Sequence, residues 1–456
     1  MKKIKFESSS ILVCLIIGIC FCVTGSGYLS WLYKLMNFYS DTYVDMLSEV
    51  IGYLFQAIGL IIFTWMRKKE IPFSKNNKGF IITLIIDYIL IVFSVLSISS
   101  VSTLIFGYAM NIFHGLVVGY YLFALVTYVP LQHRRKCFGF GYAIGALGSW
   151  GLSLWGNGNF LKSNAILILY AILIIICIVS FKFTKNTLDL FSDYTGLQNL
   201  DSKLLLMILA LVFLLSFVKN TGFYFPTADL SSGAISLEFT RLFYAAGLII
   251  AGFVNDYSRK TGSVICICAL VIPFIMLTLV SNATSSNVLW MLGYVFYGFF
   301  VVYRIILVSD YASQSNNCFF GAALGLMFGR LGDAFGALIG MKISNITILV
   351  SFSGILFVIT ILLYFQLFPK LYILPAASTQ KSFAEIVDSY SKHHNFTSRE
   401  KEIFILLLEG NTNNAISEKL YISDNTVKFH IKNILKKTKC QNRGDLKSHF
   451  EKYQYI

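Results

Sequence analysis

"SDNTVKFHIKNILKKTK", residues 423–439, lies near the end of a chain that is otherwise mostly apolar. Four of its last eight residues are lysine. Its apolar residues keep helical spacing. Val427, Ile431, Ile434 and Leu435 point one way, while Asn425, Lys428, Phe429, Lys432 and Lys436 cluster on another face. Ser423 stands where a helix cap belongs. No acidic residue occurs between Asp424 and Asp445, whereas an ordinary solvated helix interleaves lysine with glutamate. Lysines at i, i+4 and i+8 fit the major groove and neutralise phosphates, and Asn and Lys side chains read base edges.

Upstream, Ser398 is a cap candidate for a helix with Ile403, Leu406 and Leu407 on one face and a glycine stop at Gly410. Ala415, Ile416, Leu420 and Ile422 give a short second helix and its exit. Short helices joined by tight turns, with a basic third helix, make a helix-turn-helix. The pieces "FTSREKEI", "LLLEGNTNNAISEKLYISDNTVKFHI" and "ILKKTKCQNRGDL" resemble the LuxR-type C-terminal DNA-binding domain in order and spacing. The departures are Asn414 where that family often has Lys, Ser417 where it has Ala, and Thr438-Lys439 where it has Leu-Gly.

The resemblance implies a four-helix domain over 396–456 whose partner is double-stranded DNA. It places Lys428, Phe429 and Lys432 at base-reading positions. Thr426, His430 and Lys436 fall at backbone-contacting ones, and Asn425 lies beside them. Arg443 opens the fourth helix, which in this family often serves dimerisation, so a dimer on DNA is expected. The alternative for His430 is a packing or surface residue, and Leu446 and Phe450 read as domain core or dimer seam.

The rest of the chain is greasy. Of 456 residues, 56% are apolar and 13% charged, about half the charge of a soluble domain, where ~25% is usual. Twelve apolar segments are long enough to span a bilayer: 11–35, 43–66, 79–98, 102–129, 138–156, 164–181, 204–225, 234–255, 262–280, 288–308, 319–341 and 347–368. The first follows MKKIKFESSS and is too long for a signal-peptide core, so it reads as a retained span.

Arg67, Lys68, Lys69, Lys75 and Lys78 follow the second segment, and His133, Arg134, Arg135 and Lys136 the fourth. Lys182, Lys185 and Lys203 bracket the loop after the sixth, and Arg259 and Lys260 follow the eighth. The positive-inside rule then puts both termini in the cytoplasm of a bacterial inner membrane, on the side of the chromosome. It also accounts for much of the formal charge of +14.

The loop 182–203 divides the segments six and six. Together with "GFVNDYSRKTG" (252–262) this pattern resembles the major facilitator fold, in which Gly252, Asp256, Arg259 and Lys260 match a G-x-x-x-D-(R/K)-x-G-R-K loop. The match is degenerate: the spacing before Arg259 is one residue short and the inner Gly is absent. The loop after segment two has neither Gly nor Asp. The fold expected is therefore all-α: a twelve-helix, major-facilitator-like transmembrane bundle over 1–368, a linker over 369–395 with a short helix near 383–391, then the small cytoplasmic domain.

Ionisable residues at membrane depth are costly and suggest sites. They are Asp87, His114, Lys219, Glu238, Arg241, Arg304, Arg330 and Asp333, with Asn111 and Asp310 nearby. Glu238/Arg241 and Arg330/Asp333 are each i, i+3 and able to pair. One reading is internal salt bridges. The other is a cavity between the two halves, where Lys219, Arg241 and Arg330 hold an anionic small-molecule effector. The glycines Gly321, Gly325, Gly329, Gly332, Gly336 and Gly340 mark a crowded helix contact. The nine cysteines form no metal-ligand or C-x-x-C pattern, and no catalytic or cofactor-binding constellation is present. No stretch resembles a phosphoryl-accepting receiver, so the input to the C-terminal domain is expected to come through the membrane.

Overall fold

The computed structural model describes residues 8–155, 160–183, 202–222, 237–272, 283–312, 323–372, 383–438 and 440–453. Every regular element among them is helical. The chain divides into two compact units, Met1–Phe368 and Pro369–Ile456.

The first unit starts with α1 (Ser8–Leu35). The second apolar segment is one continuous helical rod: α2 (Asp41–Asp45) runs through a π-helical turn, Met46–Gly52, into α3 (Tyr53–Lys68). Then come α4 (Asn77–Leu96), α5 (Ser100–Tyr128), α6 (Arg134–Trp155) and α7 (Ile166–Phe183). They are followed by α8 (Ser202–Gly222), α9 (Leu237–Tyr257), α10 (Arg259–Cys268), α11 (Ala283–Ala312), α12 (Leu324–Lys342) and α13 (Ile346–Tyr372). A described helix thus stands in each expected segment. Eight spans among the described residues are long and apolar enough to cross a bilayer; α7 and α9 are apolar over shorter described stretches.

Helices suit this solvent because they satisfy their own backbone groups. The ends are tied where water resumes: Asn76 accepts from the Gly79 amide at 2.6 Å, and Ser99 from the Ser102 amide at 3.1 Å. Large apolar side chains face outward, Val101 and Ile105 on α5 and Ile355 and Phe365 on α13 among them. An apolar belt of that extent on a water-exposed surface would be anomalous. Against lipid tails it is the expected exterior, and the unit is a multi-pass membrane fold.

The halves meet where α3 and the π-helical turn pack on α12 and where α6 packs on α9, with α11 also touching α5 and α6. A Cβ added at Gly139 of α6 would lie 2.5 Å from the Leu248 carbonyl of α9, so only glycine allows that crossing. On α12, a Cβ at Gly336 would lie 2.6 Å from the Phe217 carbonyl of α8. Part of the glycine run is therefore a close helix contact, while Gly321 lies outside the described residues. Charges also cross between helices. Arg134 donates to Asp310 at 3.1 Å, Arg135 pairs with Asp310 and with Asp256, and the Lys136 amide donates to Asp256 at 3.2 Å. Asp256, picked out by its loop motif, thus ties α9 to the start of α6.

The second unit holds α14 (Phe383–His393), α15 (Ser398–Leu408), α16 (Asn413–Leu420), α17 (Asp424–Thr438) and α18 (Arg443–Tyr453). Its core gathers Val387, Tyr390, Phe404, Ile416, Val427, Ile434, Leu446 and Phe450. Helix α14, expected inside a linker, contributes two of those side chains. Its Tyr390 ring stacks on Phe404 at 5.2 Å, and the Tyr390 hydroxyl shares a 2.7 Å hydrogen bond with His449 Nδ1.

The cap of α15 is Thr397 rather than Ser398. Thr397 accepts from the Glu400 amide, and Glu400 accepts from the Thr397 amide. A cap at Ser398 would put Lys401 at the reciprocal position, where it has no acceptor to offer. Gly410, at φ +84°, closes α15: its amide and that of Asn411 satisfy the Leu407 and Leu406 carbonyls.

Candidate functional site

Two sites can be built from these parts, one in each unit. In the C-terminal unit, Ser423 caps α17 by accepting from the Thr426 amide at 3.1 Å. The buried face of α17, Val427, Ile431 and Ile434, is the one that the period requires. This aims Asn425, Lys428, Phe429, Lys432 and Lys436 outward, all of them exposed. Phe429 is 62% exposed, an unusual position for an aromatic ring with no role in folding.

Lys428 is held by Asp424, Nζ to carboxylate 2.6 Å, four residues apart. Thr426 is half-buried and shares a hydrogen bond with Ser423. His430 is half-buried against Phe429, and its Nδ1 is buried without a hydrogen bond. The neighbouring Lys437 is engaged otherwise: it reaches Glu400 at 2.6 Å and the Asn395 carbonyl at 2.8 Å, pinning α17 to the start of α15. Of the two readings for Leu446 and Phe450, the structure takes the core: each is 1% exposed within its own domain.

In the membrane unit a cavity of about 190 Å³ lies among α1, α3, α5, α6, α9, α11, α12 and the π-helical turn. Of the eight ionisable residues named from the sequence, His114, Arg304 and Arg330 line it. Asp87 does not; it sits behind His114, Oδ1 to Nε2 3.4 Å, and both are buried. Lys219 and Asp333 do not line it either. Asp333 is fully buried and draws in Lys219 at 2.9 Å, Arg304 at 2.8 Å and Arg330 at 3.6 Å. An unpaired buried carboxylate would be prohibitive, so it recruits cations.

Lys219, expected to hold an anion, pairs with Asp333 and does not line the cavity. The i, i+3 pair Arg330/Asp333 forms, as one strand of a larger cluster. Glu238 and Arg241 belong to α9, and their side chains lie outside the described residues. Asn111 accepts from Gln56 at 2.7 Å and so supports a cavity residue.

The sequence reading missed Glu49, Gln56 and the tyrosines. Glu49 lines the cavity at 2% exposure and accepts from the Tyr28 hydroxyl at 3.2 Å. Tyr28, Tyr53, Tyr121, Tyr142, Tyr244 and Tyr297 contribute to the wall. Glu49 was visible as an acid inside the second apolar segment, whereas nothing in a tyrosine's position says that it faces a cavity.

Comparison with known proteins bears on each unit. Residues 394–450 match the family described as "GerE: Bacterial regulatory proteins, luxR family". The transcriptional regulatory protein LiaR of Bacillus subtilis (strain 168) is 49% identical over 51 residues, 11% of this chain and 24% of that protein. The CsgBAC operon transcriptional regulatory protein of Escherichia coli (strain K12) is 51% identical over 47 residues, 10% and 22% respectively. The transcriptional regulatory protein DegU of Brevibacillus brevis is 42% identical over 67 residues, 14% and 28%. The chain thus spans about a quarter of the length of the curated relatives it matches.

Among solved structures, the human organic anion transporter MFSD10 (TETRAN) superposes with a TM-score of 0.57 at 12% identity, over 79% of this chain and 99% of that one. The major facilitator superfamily proton:xylose symporter XylE gives 0.53 at 13%, over 79% and 96%. The chain therefore carries a LuxR-family regulatory domain at residues 394–450 and, over most of the remainder, a helical fold of the major facilitator type.

Proposed function

We propose that this protein is a membrane-bound, one-component transcriptional regulator. Its body sits in a bacterial inner membrane with both termini cytoplasmic. The membrane unit binds a small-molecule effector in the central cavity and so controls DNA binding by the C-terminal helix-turn-helix, which engages double-stranded DNA as a dimer. The observation that carries this reading is the exposed basic stripe of α17 on a LuxR-family domain, in one chain with a cavity-bearing facilitator fold. Lys428, Phe429 and Lys432 read bases, while Thr426, His430 and Lys436 hold the phosphate backbone and Asn425 lies beside the base-reading set. Coupling requires an effector that binds one conformation of the membrane unit better than the other.

The test is occupancy of genomic DNA in cells. Lys428→Ala with Lys432→Ala should abolish it while membrane insertion persists, each base contact being worth about 1–3 kcal/mol. Binding should also weaken steeply with salt. Unchanged occupancy in the double variant rules out α17 as the reading helix. A second reading is a facilitator-type transporter with a regulatory tail, supported by the likeness of 79% of the chain to transporter structures. Solute uptake into vesicles separates the two: net flux favours transport, and binding without flux favours a receptor.

A further inference from the structure

We infer that the central cavity takes a small zwitterion, a molecule with one amine and one carboxylate on an apolar body of single-ring size. This rests on the sensory role proposed above and names the effector class which that role requires.

Glu49 is the first observation. It sits on the π-helical turn Met46–Gly52, and such turns concentrate at functional sites because the wider turn re-aims side chains. Its carboxylate is buried, lines the cavity and accepts hydrogen bonds from two neutral hydroxyls, Tyr28 at 3.2 Å and Tyr53. No ion pair holds it among the described residues. Arg330 and Lys219 act on it only through space, without an ion pair, and a ligand ammonium supplies the direct partner that a buried carboxylate calls for. The Tyr28 ring stacks on Tyr53 at 6.0 Å and forms one wall beside Glu49.

Arg330 is the second. Lys219 and Arg304 approach Asp333 within 2.9 Å, whereas Arg330 stands at 3.6 Å and lies over the Tyr53 ring, 4.4 Å from its centroid. Its Nε, like that of Arg304, is buried without a hydrogen-bond partner, but Arg304 already donates to Asp333 at 2.8 Å and to Ser216 at 3.1 Å. Arg330 is thus the cation with capacity left for a carboxylate. Glu49 and Arg330 share the Tyr28–Tyr53 wall, so one ligand meets both.

Charge complementarity excludes the halves. A simple amine would face Arg330 and Arg304, and a simple carboxylate would face Glu49, each an unfavourable like-charge contact. Size sets the body: an apolar cavity of ~150 Å³ holds benzene, and this one, at about 190 Å³, leaves room for two polar ends.

The test is calorimetric binding to the full-length protein in nanodiscs with four probes: L-phenylalanine, para-aminomethylbenzoate, phenethylamine and phenylpropanoate. At least one of the two zwitterions should bind about tenfold or more tightly than either single-charge probe. Glu49→Gln should remove the advantage over the carboxylate probe, Arg330→Gln the advantage over the amine, and Glu49→Asp should retain part of it. Unliganded melting of each variant checks that it is folded. A single-charge probe that binds as tightly as both zwitterions overturns the inference, as does a folded wild-type protein that binds none of the four. Recovery of genomic DNA with each probe separates this from the sensory reading. A zwitterion that binds without changing recovery leaves the site standing and removes the sensory role. Recovery that responds only to a single-charge probe does the reverse.

Discussion

Tyr421 holds a left-handed backbone, φ 52°, in the turn between α16 and α17. Its amide and that of Ile422 close α16 on the Glu418 and Ser417 carbonyls, a task usually given to glycine. The side chain is 95% exposed and packs on little. Tyr421→Gly should therefore raise the stability of the C-terminal domain by about 0.5–1 kcal/mol, the cost of left-handed geometry outweighing the extra freedom of the unfolded glycine. Chemical denaturation of the isolated domain and its variant measures this, and a drop in stability would show that the ring packs.

Glu400 gives a pH signature at the same scale. Burial pushes its carboxyl up, but Lys437 and the Thr397 amide and hydroxyl outweigh burial and hold it below its ordinary value of 4.5. A depressed folded-state value means stability present above pH 4.5 and lost as pH falls through the folded value. Glu400→Gln should weaken the domain at neutral pH, and the gap between variant and wild type should close on acidification below that range. A gap constant with pH would assign the effect to packing.

At the scale of elements, α14 carries more than its place between two units suggests. The sequence suggests a short helix there, inside a stretch whose composition reads as a tether. The structure places Val387 and Tyr390, each 0% exposed, in the core of the C-terminal domain. Tyr390→Ala should cost about 3–5 kcal/mol, the range for truncating a buried aromatic. A fragment starting at residue 394 should melt well below one starting at residue 381. Circular dichroism on the two fragments checks this, and equal melting would make α14 dispensable. Helix α14 is therefore part of the C-terminal domain's own core.

At the scale of the whole molecule, Asp333 ties α8, α11 and α12 together through Lys219, Arg304 and Arg330. Asp333→Asn leaves three cations without their shared partner. It should cost about 3–5 kcal/mol, the usual penalty for breaking a buried pair. Thermal unfolding in detergent tests it, and an unchanged melting point would mean that water reaches the cluster. Topology is tested separately. A cytoplasm-active reporter fused after Ile456 should work and a periplasm-active one should not, as the basic loops require.

Sequence alone determined two things. The dearth of charge over long segments called for helices in lipid, because no other open structure satisfies its backbone there. The period and the lysine spacing of 423–439 fixed a helix and its exposed basic face, because a helix's faces are set by local geometry. Which ionisable residues share a cavity was not local information. Lys219 and Asp87 stand in apolar segments just as His114 and Arg330 do, yet packing turned the first two away from the cavity and the latter two toward it. Glu49 reached the cavity through a π-helical turn that the spacing of its neighbours does not announce. Leu446 and Phe450 became core only when α18 closed on α14 and α15. Contacts between segments distant in the chain made those choices, since burial and charge pairing depend on what arrives from elsewhere.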